Sequence, residues 1–154
     1  MSSPEGSTVT FRRVPASLHR RAIERFAQKL QTEVAKGRGF DCLITGDADL
    51  RRLNRQFLGK DYATDVLSFP ASGPRFPAPD PGLGSIAVSL GRARAQAREF
   101  GHQTEDEIRI LMLHGVLHLL GHDHESDNGR MARAEKRWRA RLGLPAGLIE
   151  RARS

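Results

Sequence analysis

Four of the chain's six histidines fall within eleven residues, in the run His114-Gly115-Val116-Leu117-His118-Leu119-Leu120-Gly121-His122-Asp123-His124. Residues four apart on a helix share one face a turn apart, so the imidazoles of His114 and His118 stack. Two imidazoles so placed can reach one cation at about 2.0–2.1 Å, the usual distance for Zn²⁺. Gly121 suits the left-handed backbone that ends a helix. His124, just beyond that reversal, can close a third side, and His122 competes with it for the same place. Three protein ligands leave a fourth position open, which is the layout of a catalytic zinc site. A metal-bound water there has its pKa lowered to about 7 and can attack an electrophile. A fourth ligand from Asp123, Glu125 or Asp127 would instead close the site and make the zinc structural.

Gly115 follows the first histidine, where zinc peptidases of the His-Glu-x-x-His type carry a glutamate as general base. A metallopeptidase mechanism therefore lacks its base. Asp123 is the nearest carboxylate within the run; it either assists the attacking water or orients a ligand histidine. A buried imidazole without a partner costs about 1–3 kcal/mol, so two on one core helix point to a metal. Gly115 itself costs about 1 kcal/mol relative to alanine in a helix interior. Something must approach it closely, either another backbone or a substrate. Cys42 is the sole cysteine. It excludes an internal disulfide and reads as a small core residue.

The elements that must position these groups follow from periodicity and turn residues. Thr8 to Val14 alternates with β-branched residues and reads as a strand. Leu18, Ala22, Phe26, Leu30 and Val34 recur every fourth position, an amphipathic helix ended by Gly37-Arg38-Gly39. Phe40 to Thr45 is a second strand. Asp47 can cap a short helix to Phe57. Val66 to Phe69 is a third strand, followed by a loop rich in proline and glycine that reaches Gly84. Ile86 to Leu90 is a fourth strand and Gly91 to Phe100 a helix stopped by Gly101. Thr104 with Glu107 fits a capping box and opens the helix that runs to Leu120, apolar on nearly every side and so buried. A last helix, Asp127 to Leu142, turns Met131, Ala134 and Trp138 inward and Arg130, Arg133, Arg137 and Arg141 outward. Interleaved strands and helices without a glycine-rich phosphate loop indicate an α+β domain with one small sheet.

The 154 residues suffice for one domain. We expect residues 1–7 and 145–154 to be tails and 8–144 a single domain. No apolar run is long enough for a membrane span, and the N-terminus does not read as a signal peptide. Cytoplasmic location is the expectation. The net charge is +7 and arginine dominates the cations, which favours a polyanionic partner.

The histidine run resembles the signature of the YbeY family, bacterial rRNA maturation factors proposed to be metal-dependent endoribonucleases. Two further blocks agree in order and spacing. One is Leu53-Asn54 followed by Gly59-Lys60-Asp61-Tyr62-Ala63-Thr64-Asp65-Val66-Leu67-Ser68-Phe69-Pro70; the other is Ala95 to His102. The resemblance implies one mixed sheet packed on a central buried helix that carries the metal-binding histidines. It implies a single Zn²⁺ held by His114, His118 and His124. The implied reaction is phosphodiester cleavage in RNA, tied to 16S rRNA 3′-end maturation, ribosome quality control and the ribosomal small subunit. Activation of water or of the ribose 2′-hydroxyl both remain open. The expected substrate-facing residues are Lys60, Thr64, Asp65, Ser68 and Arg55. Leu58 replaces an arginine common in the family, and Ser85 replaces an aspartate. The competing readings are a ribosome-assembly binding factor with a structural zinc and, against the evidence of Gly115, a metallopeptidase. Imidazole-rich sites also accept nickel or copper.

Overall fold

The computed structural model describes residues 6–62, 64–71, 82–121 and 129–145. Four strands form one mixed sheet: β1 (Thr8–Phe11), β2 (Asp41–Thr45), β3 (Val66–Pro70) and β4 (Gly84–Ser89). Their order is β1-β2-β4-β3. The first three in that order run parallel, and β3 pairs antiparallel to β4 with Val66 opposite Val88 and Phe69 opposite Ser85. Parallel pairing requires crossovers. These are supplied by α1 (Arg20–Lys29) between β1 and β2 and by α2 (Asp47–Leu58) on the way from β2 to the β3–β4 pair. The helices α3 (Leu90–Phe100), α4 (Thr104–Leu119) and α5 (Arg130–Arg141) complete the domain.

Side chains alternate across a strand, and here the two faces are unequally covered. Cys42, Ile44, Ile86 and Val88 point into the main core, packed with α1, α4 and α5. Leu43, Leu67, Phe69 and Ala87 point the other way, where α2 brings Leu50 and Leu53, with the exposed Phe57 against Phe69. Helix α4 is buried along nearly its whole length, as its uniform apolarity requires. Gly115 lets it lie that close. A Cβ there would stand 2.9 Å from Ile86 Cγ2 and 3.4 Å from Val66 Cγ2. The close approach thus comes from sheet side chains, not from a backbone or substrate.

Several boundaries differ from the periodicity. The first helix starts at Arg20, because Leu18 is held in a turn by its N–H to Pro15 O, and it ends in a π-helical turn over Leu30–Val34. Leu90, expected to end the fourth strand, instead opens α3; Ser89, the last residue of β4, caps that helix by accepting the Arg92 N–H at 3.1 Å. The capping box of α4 is built one residue earlier than expected, from Gln103 and Asp106. That shift sends Glu107 inward. It is fully buried, accepts from Gln96 Nε2 at 2.7 Å and meets His102 Nε2 at 2.6 Å. Ser7, expected in the N-terminal tail, is buried: its N–H and hydroxyl both donate to Gln31 Oε1, and it accepts from Phe40 N.

Candidate metal centre

Helix α4 delivers His114 and His118 to one side, as the four-residue spacing requires. Their ring centroids are 4.8 Å apart with planes at 70°. His114 is 8% exposed, while His118 is half-buried at the surface end of the helix. The left-handed Gly121 (φ +95°) ends the helical path, its N–H donating to His118 O at 3.0 Å.

Behind His114 stands Glu135 of α5, 1% exposed, with Oε2 2.7 Å from His114 Nδ1. A carboxylate at that distance favours the Nδ1–H tautomer and turns Nε2, on the other side of the ring, away from it. This is how metal-ligating histidines are commonly oriented. Sequence reasoning missed Glu135. The available signal was its place on the inward stripe of α5, beside Met131, Ala134 and Trp138, because a glutamate is almost never fully buried without a partner.

The donor chemistry fits a transition-metal ion: two imidazoles a turn apart, one backed by a buried carboxylate. Among the described residues no set of three His, Cys, Asp or Glu side chains comes together as a metal cage. His124, its competitor His122 and Asp123 lie outside the described residues.

The other expected site residues separate into two groups. Ser68 faces α4, its hydroxyl donating to Gly115 O at 3.2 Å, one residue from His114. Thr64 and Asp65 line a polar cavity of about 230 Å³ with Arg92 and Gln96 of α3, two residues that sequence reasoning did not single out. Arg55 on α2 and Lys60, just past its left-handed C-cap Gly59, are exposed. Leu58 is exposed as well. Ser85 pairs with Phe69 and Asp41, so by strand alternation it belongs to the sheet face away from α4.

Cys42 sits in the core, and burial pushes its thiol well above the usual range. It is a packing residue, as expected. Trp138 is buried, with Lys36 and Arg141 over its ring at 5.8 and 5.3 Å. Arg130, Arg133, Arg137 and Arg141 are exposed. No helix among the described residues is long and apolar enough to cross a membrane.

A single mixed sheet covered by a helix that displays paired imidazoles defines a class of small, histidine-centred α+β proteins. Comparison with known proteins narrows the class. Residues 8–143 match the family model of endoribonuclease YbeY. The chain is 74% identical to the endoribonuclease YbeY of Solibacter usitatus over 154 residues, all of both chains. It is 41% identical to that of Helicobacter pylori strain Shi470 over 125 residues, 81% of this chain and 86% of the relative. The solution structure of TM1509 from Thermotoga maritima superimposes with a TM-score of 0.56 at 27% identity, covering 86% of this chain and 85% of that one. The chain belongs to the endoribonuclease YbeY family, hydrolases that act on RNA.

Proposed function

We propose that this endoribonuclease uses one Zn²⁺ ion, held by His114, His118 and His124, to cleave rRNA in the cytoplasm. The expected step is maturation of the 16S rRNA 3′ end on the small ribosomal subunit, with a role in ribosome quality control. The single domain takes in residues 8–144 together with the buried Ser7 before them. The observation that carries the reading is the His114–His118 pair on a buried helix with Glu135 behind His114. A bound zinc ion supplies Lewis acidity for phosphate charge and lowers the pKa of an oxygen nucleophile.

The chain's own residues do the rest. Glu135 orients the His114 ring. Ser68 ties β3 to α4 beside the histidines, so the strand and helix move as one wall. Thr64, Asp65, Arg92 and Gln96 offer a polar recess in which an arginine can meet a phosphate. Arg55 and Lys60 add exposed positive charge, and the net charge of +7 favours a polyanion. Asp123 remains the candidate for assisting proton transfer.

The test pairs metal content by mass spectrometry with RNA cleavage. The wild type should hold about one transition-metal ion per chain and cut RNA. His118→Ala should lose both properties while keeping its fold by circular dichroism. Cleavage by a folded His118→Ala protein at the parent rate would refute the reading. Mapping of the product ends separates attack by water from attack by the 2′-hydroxyl.

A further inference from the structure

The sheet face away from α4 is only half covered. Beside α2 it leaves a cavity of about 470 Å³, within the range of about 300–1,000 Å³ typical of small-ligand sites. Leu43 and Phe69 contribute from the sheet, Leu53 and Phe57 from α2, and Arg12 and Asp41 supply polar groups. We propose that this cavity holds an unpaired nucleobase of the RNA substrate, stacked on the exposed ring of Phe57, which Phe69 braces edge-on, a few nucleotides from the phosphate at the histidines. The inference rests on the reading of RNA as the substrate.

Three observations carry it. The first is the aromatic corner. Phe57 is 59% exposed, and its ring meets Phe69 edge-on, with centroids 5.6 Å apart and planes at 67°. An exposed phenylalanine beside a second one is a stacking platform, because every base has a flat apolar face. The second is the polar lining. Arg12, half-exposed and anchored to Asp49 at 3.6 Å, offers donors. Asp41, which accepts the Thr8 hydroxyl, offers further acceptor sites. One donor group and one acceptor group suit the mixed edge of a base.

The third is position. β3 is an edge strand, and its neighbouring residues Ser68 and Phe69 point to opposite faces. Ser68 bonds α4 at Gly115, while Phe69 lines the cavity. A single strand that turns around this edge can therefore reach the histidine side and the aromatic corner together. On α2 Arg55 is exposed, and Arg51 and Arg52 are exposed but ion-paired with Asp61 and Asp49; Arg55 is thus the cation of this helix best placed to favour a phosphate backbone over an apolar protein surface.

The experiment uses the full chain and single-stranded 2′-O-methyl RNA, with fluorescence anisotropy as readout and gels to confirm that the strand stays intact. Phe57→Ser should weaken binding about 5- to 150-fold, the range that base–aromatic stacking implies. Phe57→Trp should bind like the parent and show quenching of the new indole. An abasic scan should reveal one position whose base matters to the parent and not to Phe57→Ser. Binding by a folded Phe57→Ser protein within twofold of the parent would overturn the proposal. So would a Phe57→Ser protein that binds RNA normally but no longer associates with small-subunit proteins, since the cavity would then be a protein dock. No outcome depends on cleavage, so failure of the zinc-nuclease reading and failure of the base site are separately visible.

Discussion

Removing the carboxylate behind His114 is the sharpest test of how the centre is organised. Glu135 Oε2 lies 2.7 Å from His114 Nδ1, and both side chains are buried. In Glu135→Ala the ring loses the partner that fixes its tautomer and rotation. A buried N–H without an acceptor costs about 1–3 kcal/mol. Mutation of such partners elsewhere lowers metal affinity about 10- to 100-fold, or roughly 1.4–2.7 kcal/mol at 1.36 kcal/mol per decade. The two routes agree, so a loss near 2 kcal/mol in zinc binding is expected.

Folding stability without metal should change less than that. Glu135 is itself a buried carboxylate, and its removal also relieves a desolvation cost. Glu135→Gln keeps an acceptor for Nδ1–H and should remain within about fivefold of the parent in affinity, since only the charge assistance is lost. The assay is competition with a chelator of known affinity, paired with melting curves with and without zinc. The reasoning fails if Glu135→Ala holds zinc as tightly as the parent. It fails equally if Gln and Ala lose the same affinity, because orientation by an acceptor is then not what Glu135 provides.

Two further predictions concern the frame around the site. Asp49 accepts hydrogen bonds from Thr45 and Arg52, which hold its carboxyl down to about 2. A depressed carboxyl stabilises the fold above its unfolded pKa near 4, and that contribution disappears as the pH falls toward 2. The full shift would be worth about 2 kcal/mol; the half-exposed Arg12 and Arg52 partners reduce this to about 1 kcal/mol by screening. Denaturant melts at pH 6 and pH 3 should therefore show a smaller pH dependence in Asp49→Asn than in the parent, and identical pH slopes would reject the assignment. Gly115→Ala adds a methyl 2.9 Å from Ile86 Cγ2. Overpacking of about 1–3 kcal/mol is set against about 1 kcal/mol of helix propensity, so the variant should be destabilised by up to about 2 kcal/mol. Adding Ile86→Ala removes the Cγ2 that clashes, so in thermal melts the double variant should lose less than the sum of the two single losses; a stabilised Gly115→Ala variant would contradict the packing seen here.

How much could be read from the chain depended on the range of the interactions. His114 and His118 were legible because a four-residue spacing on one helix is local geometry, and the apolarity of that helix announced its burial. The α+β class and the mixed sheet followed from strand and helix signals plus the family resemblance. Glu135 was not legible in the same way. It meets His114 across 21 positions, and only the packing of α5 against α4 selects it from the other charged residues of its helix. Gly115 was recognised as a close-approach position, but its neighbour could not be named without the register that sets Ile86 and Val66 beneath it. The cap of α4 shows the same limit on a smaller scale. The local rule favours Thr104 with Glu107 over Gln103 with Asp106, yet the box forms from the latter pair, because a tertiary demand overrides it: Glu107 is needed inside, between Gln96 and His102. Local rules thus name the paired imidazoles, whereas the carboxylate that holds His114 in place is chosen by the fold. Variants of Glu135 therefore probe something that the histidine motif alone cannot specify.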